Sequence, residues 1–200
     1  MKIVVMGTGG VGGYFGAKLA RSGEAVTFVA RGEHLRALRA SGLRVTSATE
    51  GEFVVKSPAT GDLSGDGPAD MVLFCVKSYD TDSAARAIKP VVGSETVVLS
   101  LQNGIDNEEK IESVVGEGHV LGGAAYIFAT IESPGVITHS SGGRIAFGEL
   151  DGRESGRARG ILAAFHRAGI SAALSTSIRR VLWEKYLFIA ALSGMTALTR

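Results

Sequence analysis

Apolar positions along this chain fall into short continuous runs separated by longer stretches with helical spacing. Residues 3–6 (IVVM) form the first run, which reads as a strand buried on both faces. A helix over 10–21 follows directly and is stopped by Ser22-Gly23, a glycine suited to a left-handed cap. Residues 25–30 (AVTFVA) predict a second strand, and 33–40, with Leu35 and Leu38 among charges, a short amphipathic helix. Residues 43–46 and 52–56 alternate apolar and polar around a small turn, which predicts a peripheral β excursion; 60–69, rich in Gly, Asp and Pro, reads as a loop. Buried strands at 71–76 (MVLFCV) and 96–101 (TVVLSL) then alternate with helices at 81–89 and 107–114. Strands alternating with helices predict an α/β fold with a Rossmann-type doubly wound sheet.

Beyond residue 119 the rhythm changes. Short strands at 120–130, 135–139 and 144–148, punctuated by Ser133-Pro134-Gly135 and Ser141-Gly142-Gly143, predict an antiparallel or mixed extension of the sheet. A helix over 153–168 and a strand over 170–174 close this part. Residues 177–200 form the most apolar helix of the chain, hydrophobic nearly all round, and such a helix expects burial on most sides. The pattern divides the chain into a nucleotide-binding domain, 1–175, and a first helix, 176–200, of an all-α substrate or dimerisation domain whose other helices come from outside this sequence.

The candidate chemistry begins at the first turn. Gly7, Thr8, Gly9, Gly10, Val11 and Gly12 carry the spacing G-x-G-x-x-G between a buried strand and a helix. With 28 glycines in the chain that spacing alone is weak, and its strand–turn–helix context is what makes it a dinucleotide cradle. There the backbone approaches a pyrophosphate closely and the helix N-terminus offers free N–H groups. NAD, NADP and a flavin dinucleotide all remain open at this point.

Arg31 separates them. No acidic residue occupies the tip of the second strand to take a ribose 2′-hydroxyl, whereas Arg31 stands nineteen residues after Gly12, where a 2′-phosphate is accommodated. NADP(H) is therefore the expected cofactor, against the alternative of an exposed arginine opening the next helix. The later strands deliver Lys77 and then Gln102-Asn103-Gly104 to the carboxyl end of the sheet, where ligands bind in open α/β folds. Lys77 faces a phosphate or substrate charge, or simply solvates its loop; Asn103 presents a donor and an acceptor, or serves an Asn-Gly turn. Lys185 shares an apolar stripe with Ile189, Leu192 and Thr196, and a lysine desolvated in this way is suited to proton transfer, unless it snorkels to an acid. Tyr14 and Lys18 have Tyr-x-x-x-Lys spacing but sit beside the glycine turn, the wrong place for catalysis.

Composition narrows the class. A net charge of +1 argues against nucleic acid or an acidic membrane surface as the main partner, and the most apolar run, 186–192, is too short to span a bilayer. The single cysteine, Cys75, permits no intrachain disulfide and fits a reducing, cytoplasmic setting, its role being that of a small buried hydrophobe. His34, His119, His139 and His166 are scattered without metal-ligand spacing, so no metal is expected.

Taken together, MKIVVMGTGGVGG, Arg31, Cys75-Val76-Lys77, Gln102-Asn103-Gly104 and Trp183-Glu184-Lys185 resemble the ketopantoate reductases (2-dehydropantoate 2-reductases), over nearly all 200 residues and in order. The resemblance implies NADPH-dependent reduction of a 2-keto acid, in the family's namesake 2-dehydropantoate to pantoate in pantothenate biosynthesis. It implies that the glycine loop holds the pyrophosphate and Arg31 the 2′-phosphate, that Lys77, Gln102 and Asn103 face the nicotinamide and substrate, and that Lys185 is the general acid, with Asn103 beside it in catalysis. Two departures stand out: Ile189 and Ser193 occupy positions where the namesake enzymes commonly carry asparagine. A paralogue for another 2-keto acid and a non-catalytic nucleotide-binding sensor are the alternatives. An apolar helix such as 177–200 favours a partner, a homodimer through the helical domain being one arrangement.

Overall fold

The computed structural model describes residues 1–199. In β1 (Lys2–Met6) successive side chains alternate between two cores, Ile3 and Val5 on one face and Val4 and Met6 on the other. That double burial is why the run is apolar throughout. A parallel partner needs a crossover, and α1 (Gly10–Arg21) supplies it, leading to β2 (Ala25–Val29) in parallel register, Ile3 opposite Val26. Next come α2 (Gly32–Ser41), the antiparallel pair β3 (Leu43–Ser47) and β4 (Gly51–Val55), and a two-residue strand β5 (Ala59–Thr60) that extends the edge beside β2.

The chain then returns to the other side of β1 with β6 (Met71–Phe74), α3 (Thr81–Ile88), β7 (Val97–Ser100) and α4 (Asn107–Val115). The direction of winding therefore reverses between β1 and β6, and a crevice opens at their carboxyl ends. A hairpin of two fourteen-residue strands, β8 (Val120–Ser133) and β9 (Val136–Glu149), follows, then α5 (Gly156–Arg167), β10 (Ser171–Leu174) and α6 (Ile178–Leu198). The sheet order is β4-β3-β9-β8-β7-β6-β1-β2-β5, with β10 on β9. The mixed extension is thus built by β8, β9, β3, β4 and β10.

Two expectations are corrected and one is sharpened. The segments 135–139 and 144–148 are one strand: Gly142 and Gly143, at φ 82° and 109°, accommodate an irregularity in β9, and the register with β8 slips at Tyr126/Ile127 instead of ending in a turn. The pair 43–46 and 52–56 does lie at the edge of the sheet, with β4 outermost, but it is continuous with it: β3 joins β9 in parallel, Val45 opposite Ile137, and so draws the sheet around α1. Enclosed in this way, α1 buries every residue from Gly12 to Leu19, with Gly13 against Ile137 and Gly16 against Phe28 and Val5. The helix expected from residue 153 starts at Gly156, capped by the Ser155 hydroxyl, which accepts from the Ala158 N–H at 3.1 Å.

Helix α6 buries only Ile178 and Leu182, against β8, while Trp183, Leu187, Phe188 and Met195 are exposed. The burial its composition expects is absent among the described residues, and Arg200, at the end of the expected helix, lies outside them. Although its densest apolar run is short, the 21-residue helix contains an 18-residue window with a mean hydropathy of 1.2, long and apolar enough by length and composition alone to cross a membrane.

Candidate functional site

At the carboxyl end of β1 the chain turns through Gly7, whose φ of 97° favours glycine. Gly9 stands at the N-cap of α1 with extended backbone, and the first helical bond runs from the Gly13 N–H to the Gly9 carbonyl at 2.7 Å. The N–H groups of Gly10, Val11 and Gly12 thus have no intrahelical acceptor, no side chain caps them, and no acidic residue lies in the first turn. The glycines divide by role. A Cβ on Gly10 would fall on the Ala129 carbonyl of β8, and one on Gly12 on the Gly7 carbonyl, so these two close the protein's own packing. A Cβ on Gly9 would meet nothing within 4 Å. That open space in front of free N–H groups is a cradle fitted to a phosphate group. Thr8 is buried and turned inward, its hydroxyl donating to the Val29 carbonyl at 2.9 Å, which ties the turn to β2.

The cradle opens into a crevice of about 650 Å³ between the β1, β2 and β6 ends, whose walls include Gly7, Gly9, Arg31, His34, Lys77 and Asp80. The volume suits a sizeable organic ligand. Arg31, at the N-cap of α2, is largely exposed and pairs with Asp80 at 2.8 Å across the mouth. Lys77 opens the short 3-10 turn Ser78–Asp80 and is exposed. His34 accepts the Gly135 N–H on Nδ1 at 3.0 Å, tying α2 to the β8–β9 turn; burial holds its pKa below the usual histidine value, so the neutral ring that this bond requires is favoured. Cys75 lines the same wall, and desolvation pushes its thiol pKa up, which leaves it a poor nucleophile.

Gln102 and Asn103 are neighbours in sequence with opposite orientations. Asn103 is exposed, whereas Gln102 is buried, its Nε2 donating to the Val76 carbonyl at 3.0 Å and to Thr81 Oγ1 at 2.9 Å. Thr81 Oγ1 lies 3.3 Å from Asn107 Oδ1 and donates at 2.8 Å to the Ser78 carbonyl, while Asn107 Nδ2 donates to the Asn103 carbonyl at 3.0 Å. Side chains buried to 5% exposure or less therefore join the loop carrying Lys77 to the loop carrying Asn103. Gln102, expected in the sequence as a cofactor contact, has its amide nitrogen committed to this internal network.

Lys185 is half-buried on α6, and its Nζ sits 5.6 Å from the centroid of the Tyr126 ring on β8. Desolvation lowers its pKa to about 8. The structure brings the glycine turn, Arg31 and Lys77 into one crevice; Asn103 and Lys185 stand outside the residues that line it. Tyr14 and Lys18 both bind Glu50, the tyrosine hydroxyl at 3.0 Å, in a network that also includes Arg21 at 2.5 Å. Their spacing therefore serves packing of α1 against the β3–β4 turn. Asp80, Thr81 and Asn107 belong to no sequence motif, and His34 stands in the sequence only as a histidine without metal-ligand spacing. Asp80 had one available signal, its position in the turn that Lys77 opens; for the others only three-dimensional contact reveals a role. Among the described residues no group of three His, Cys, Asp or Glu side chains converges on a point.

Residues 3–152 match the family model described as ketopantoate reductase PanE/ApbA. The chain is 36% identical over 199 residues to a 2-dehydropantoate 2-reductase of Halobacterium salinarum, covering 99% of this chain and 65% of that protein. It superposes on the crystal structure of 2-dehydropantoate 2-reductase from Porphyromonas gingivalis W83 with a TM-score of 0.93 at 33% identity, over 98% of this chain and 71% of that one. It also superposes on a ternary structure of D-mandelate dehydrogenase with NADH and anilino(oxo)acetate, TM-score 0.84 at 25% identity, over 92% of this chain and 60% of that one. The chain spans about 65% of the length of the first curated relatives it matches.

Proposed function

Because this chain belongs to the ketopantoate reductase PanE/ApbA family, we propose that the full-length protein is an NADPH-dependent 2-keto acid reductase, acting on 2-dehydropantoate to give pantoate in pantothenate biosynthesis. Residues 1–175 form its nucleotide-binding domain, and 176–200 open a helical substrate domain that also serves dimerisation, in a cytoplasmic enzyme.

One observation carries the reading: Lys185 on α6 is half-buried with its Nζ 5.6 Å from the ring of Tyr126, on the part of β8 that runs beyond the carboxyl end of β7, where burial lowers its pKa. The cradle at Gly9 fits the pyrophosphate, with the N–H groups of Gly10, Val11 and Gly12 as donors, and Arg31 binds the 2′-phosphate by exchanging Asp80 for it. A bound nicotinamide supplies the hydride to the carbonyl carbon. Lys77 and Asn103, on loops held together by Gln102, Thr81 and Asn107, orient the nicotinamide and substrate. Lys185 Nζ gives its proton to the carbonyl oxygen, where negative charge develops, and recovers one from solvent.

A second reading is a relative acting on another 2-keto acid, and with NADH. Ile189 and Ser193 in place of asparagines alter the substrate-facing helix, and Asp80 offers a ribose hydroxyl an acceptor beside Arg31. Oxidation of NADPH and of NADH by the full-length protein, with 2-dehydropantoate and a panel of alkyl and aryl 2-keto acids, separates the two. Turnover of none of them, with tight NADPH binding retained, leaves a nucleotide-binding sensor instead.

A further inference from the structure

We propose that Arg144 binds the carboxylate of the 2-keto acid, holding the substrate with its carbonyl toward Lys185; this rests on the reductase reading above. Arg144 on β9 lies directly opposite Tyr126 on β8, and its guanidinium carbon sits 4.4 Å from the centroid of the Tyr126 ring. Lys185 Nζ rests 5.6 Å from the same centroid. One aromatic ring therefore carries two cations, a strand arginine and a helix lysine.

This face of β8 is the one that meets α6. At Gly122 a Cβ would touch Leu182 and Ile178 at 3.2 and 3.3 Å, and Ala124 is buried with the same two residues. Tyr126 follows two residues further on the same face. The last β7–β8 pair is Ser100 with Gly122, so Tyr126 lies roughly 13 Å beyond the carboxyl end of β7 at about 3.3 Å per residue. Ligands bind beyond such ends.

Charge makes the case specific. The arginines around this face are paired: Arg157 with Glu149 at 2.6 Å, Arg179 with Glu109 at 3.3 Å, Arg180 with Glu184 at 2.7 Å. Among the described residues, Arg144 and Lys185 meet no carboxylate, and their known contacts are with the Tyr126 ring. Two cations against one ring repel each other, and an anion within reach of both relieves the repulsion. A 2-keto acid has the matching form, a carboxylate for the planar guanidinium fork and an adjacent carbonyl oxygen for the ammonium. The arginine also supplies a polar substrate contact in a chain whose α6 has Ile189 and Ser193.

The test compares full-length wild type, Arg144→Gln and Arg144→Lys on a 2-keto acid that the wild type reduces and on the corresponding neutral 2-keto amide. Loss of a charge-assisted contact predicts a KM for the acid raised about tenfold or more in Arg144→Gln and less in Arg144→Lys. The KM for NADPH stays within about twofold, and the loss in kcat/KM for the amide is several-fold smaller than for the acid, since the amide keeps an acceptor but carries no charge. An unchanged acid KM, or equal losses on acid and amide, overturns the assignment while leaving the reductase intact. Binding of oxamate to the NADPH complex gives a readout free of turnover: saturable binding by wild type that Arg144→Gln weakens supports the proposal, and equal binding overturns it. A wild type that neither reduces a 2-keto acid nor binds oxamate overturns the reductase reading and this proposal together.

Discussion

Arg31 Nη2 stands 2.8 Å from Asp80 Oδ2 across the mouth of the crevice, so the cation assigned to the 2′-phosphate already has an anionic partner. An exposed pair of this kind is worth up to about 1 kcal/mol, so Asp80→Asn is expected to tighten NADPH binding about two- to fivefold and to leave NADH binding unimproved. Titrating both nucleotides at low and high salt checks this, because the gain should shrink as salt screens the charges.

If Lys185 is the proton donor, activity and stability respond to pH in opposite senses. Burial brings its pKa down from 10.5, the ordinary value for a lysine, to about 8. As a proton donor it must be charged, so kcat/KM is expected to fall as pH rises through about 8. The folded state binds fewer protons than the unfolded state between those two values, so the stability contributed by neutral Lys185 is present above 10.5 and lost as pH falls through 8. Denaturation curves against pH for wild type and Lys185→Met check the second part: the variant should lose that slope.

Asn107 and Asn103 separate scaffold from surface. Asn107 is fully buried and donates to the Asn103 carbonyl, so Asn107→Ala is expected to cost about 1–3 kcal/mol and to reduce kcat by loosening the Asn103 backbone. Asn103→Ala, at an exposed side chain, should reduce kcat with little change in melting temperature. Thermal melts and steady-state kinetics on the pair distinguish them.

Gly9 and Gly10 are adjacent but should fail differently. Gly9→Ala places a methyl in the open cradle, so nucleotide affinity should fall about tenfold or more with stability retained. Gly10→Ala drives the methyl into the Ala129 carbonyl, and overpacking of this kind costs about 1–3 kcal/mol. Calorimetry with NADPH and a melting curve on each variant check the division.

The parallel core was legible because its causes are local. An apolar run buried on both faces, a glycine turn and an amphipathic helix each leave a periodic mark, and β1, α1, β2, β6 and β7 fall where those marks stand. Pairing between distant segments leaves none: β3 joins β9 across some 90 residues, as Val45 with Ile137, so the edge pair's link to the main sheet leaves no mark in the sequence. Gly142-Gly143 read as a turn because the same residues serve turns and bulges. In the site, Gly7 to Gly12, Arg31 and Lys77 announced themselves by position after strands. The inward turn of Gln102, the Arg31–Asp80 pair and the meeting of Arg144 with Tyr126 depend on neighbours that only the fold supplies. The apolar surface of α6 was legible in its sequence, but what covers it was not.

The central claim, a proton delivered by Lys185 in a nicotinamide-dependent reduction, is tested most directly by the kcat of full-length Lys185→Ala on the best 2-keto acid substrate. General acid catalysis predicts a fall of about 10²- to 10⁴-fold with the NADPH dissociation constant unchanged. A variant that keeps the wild-type kcat contradicts it.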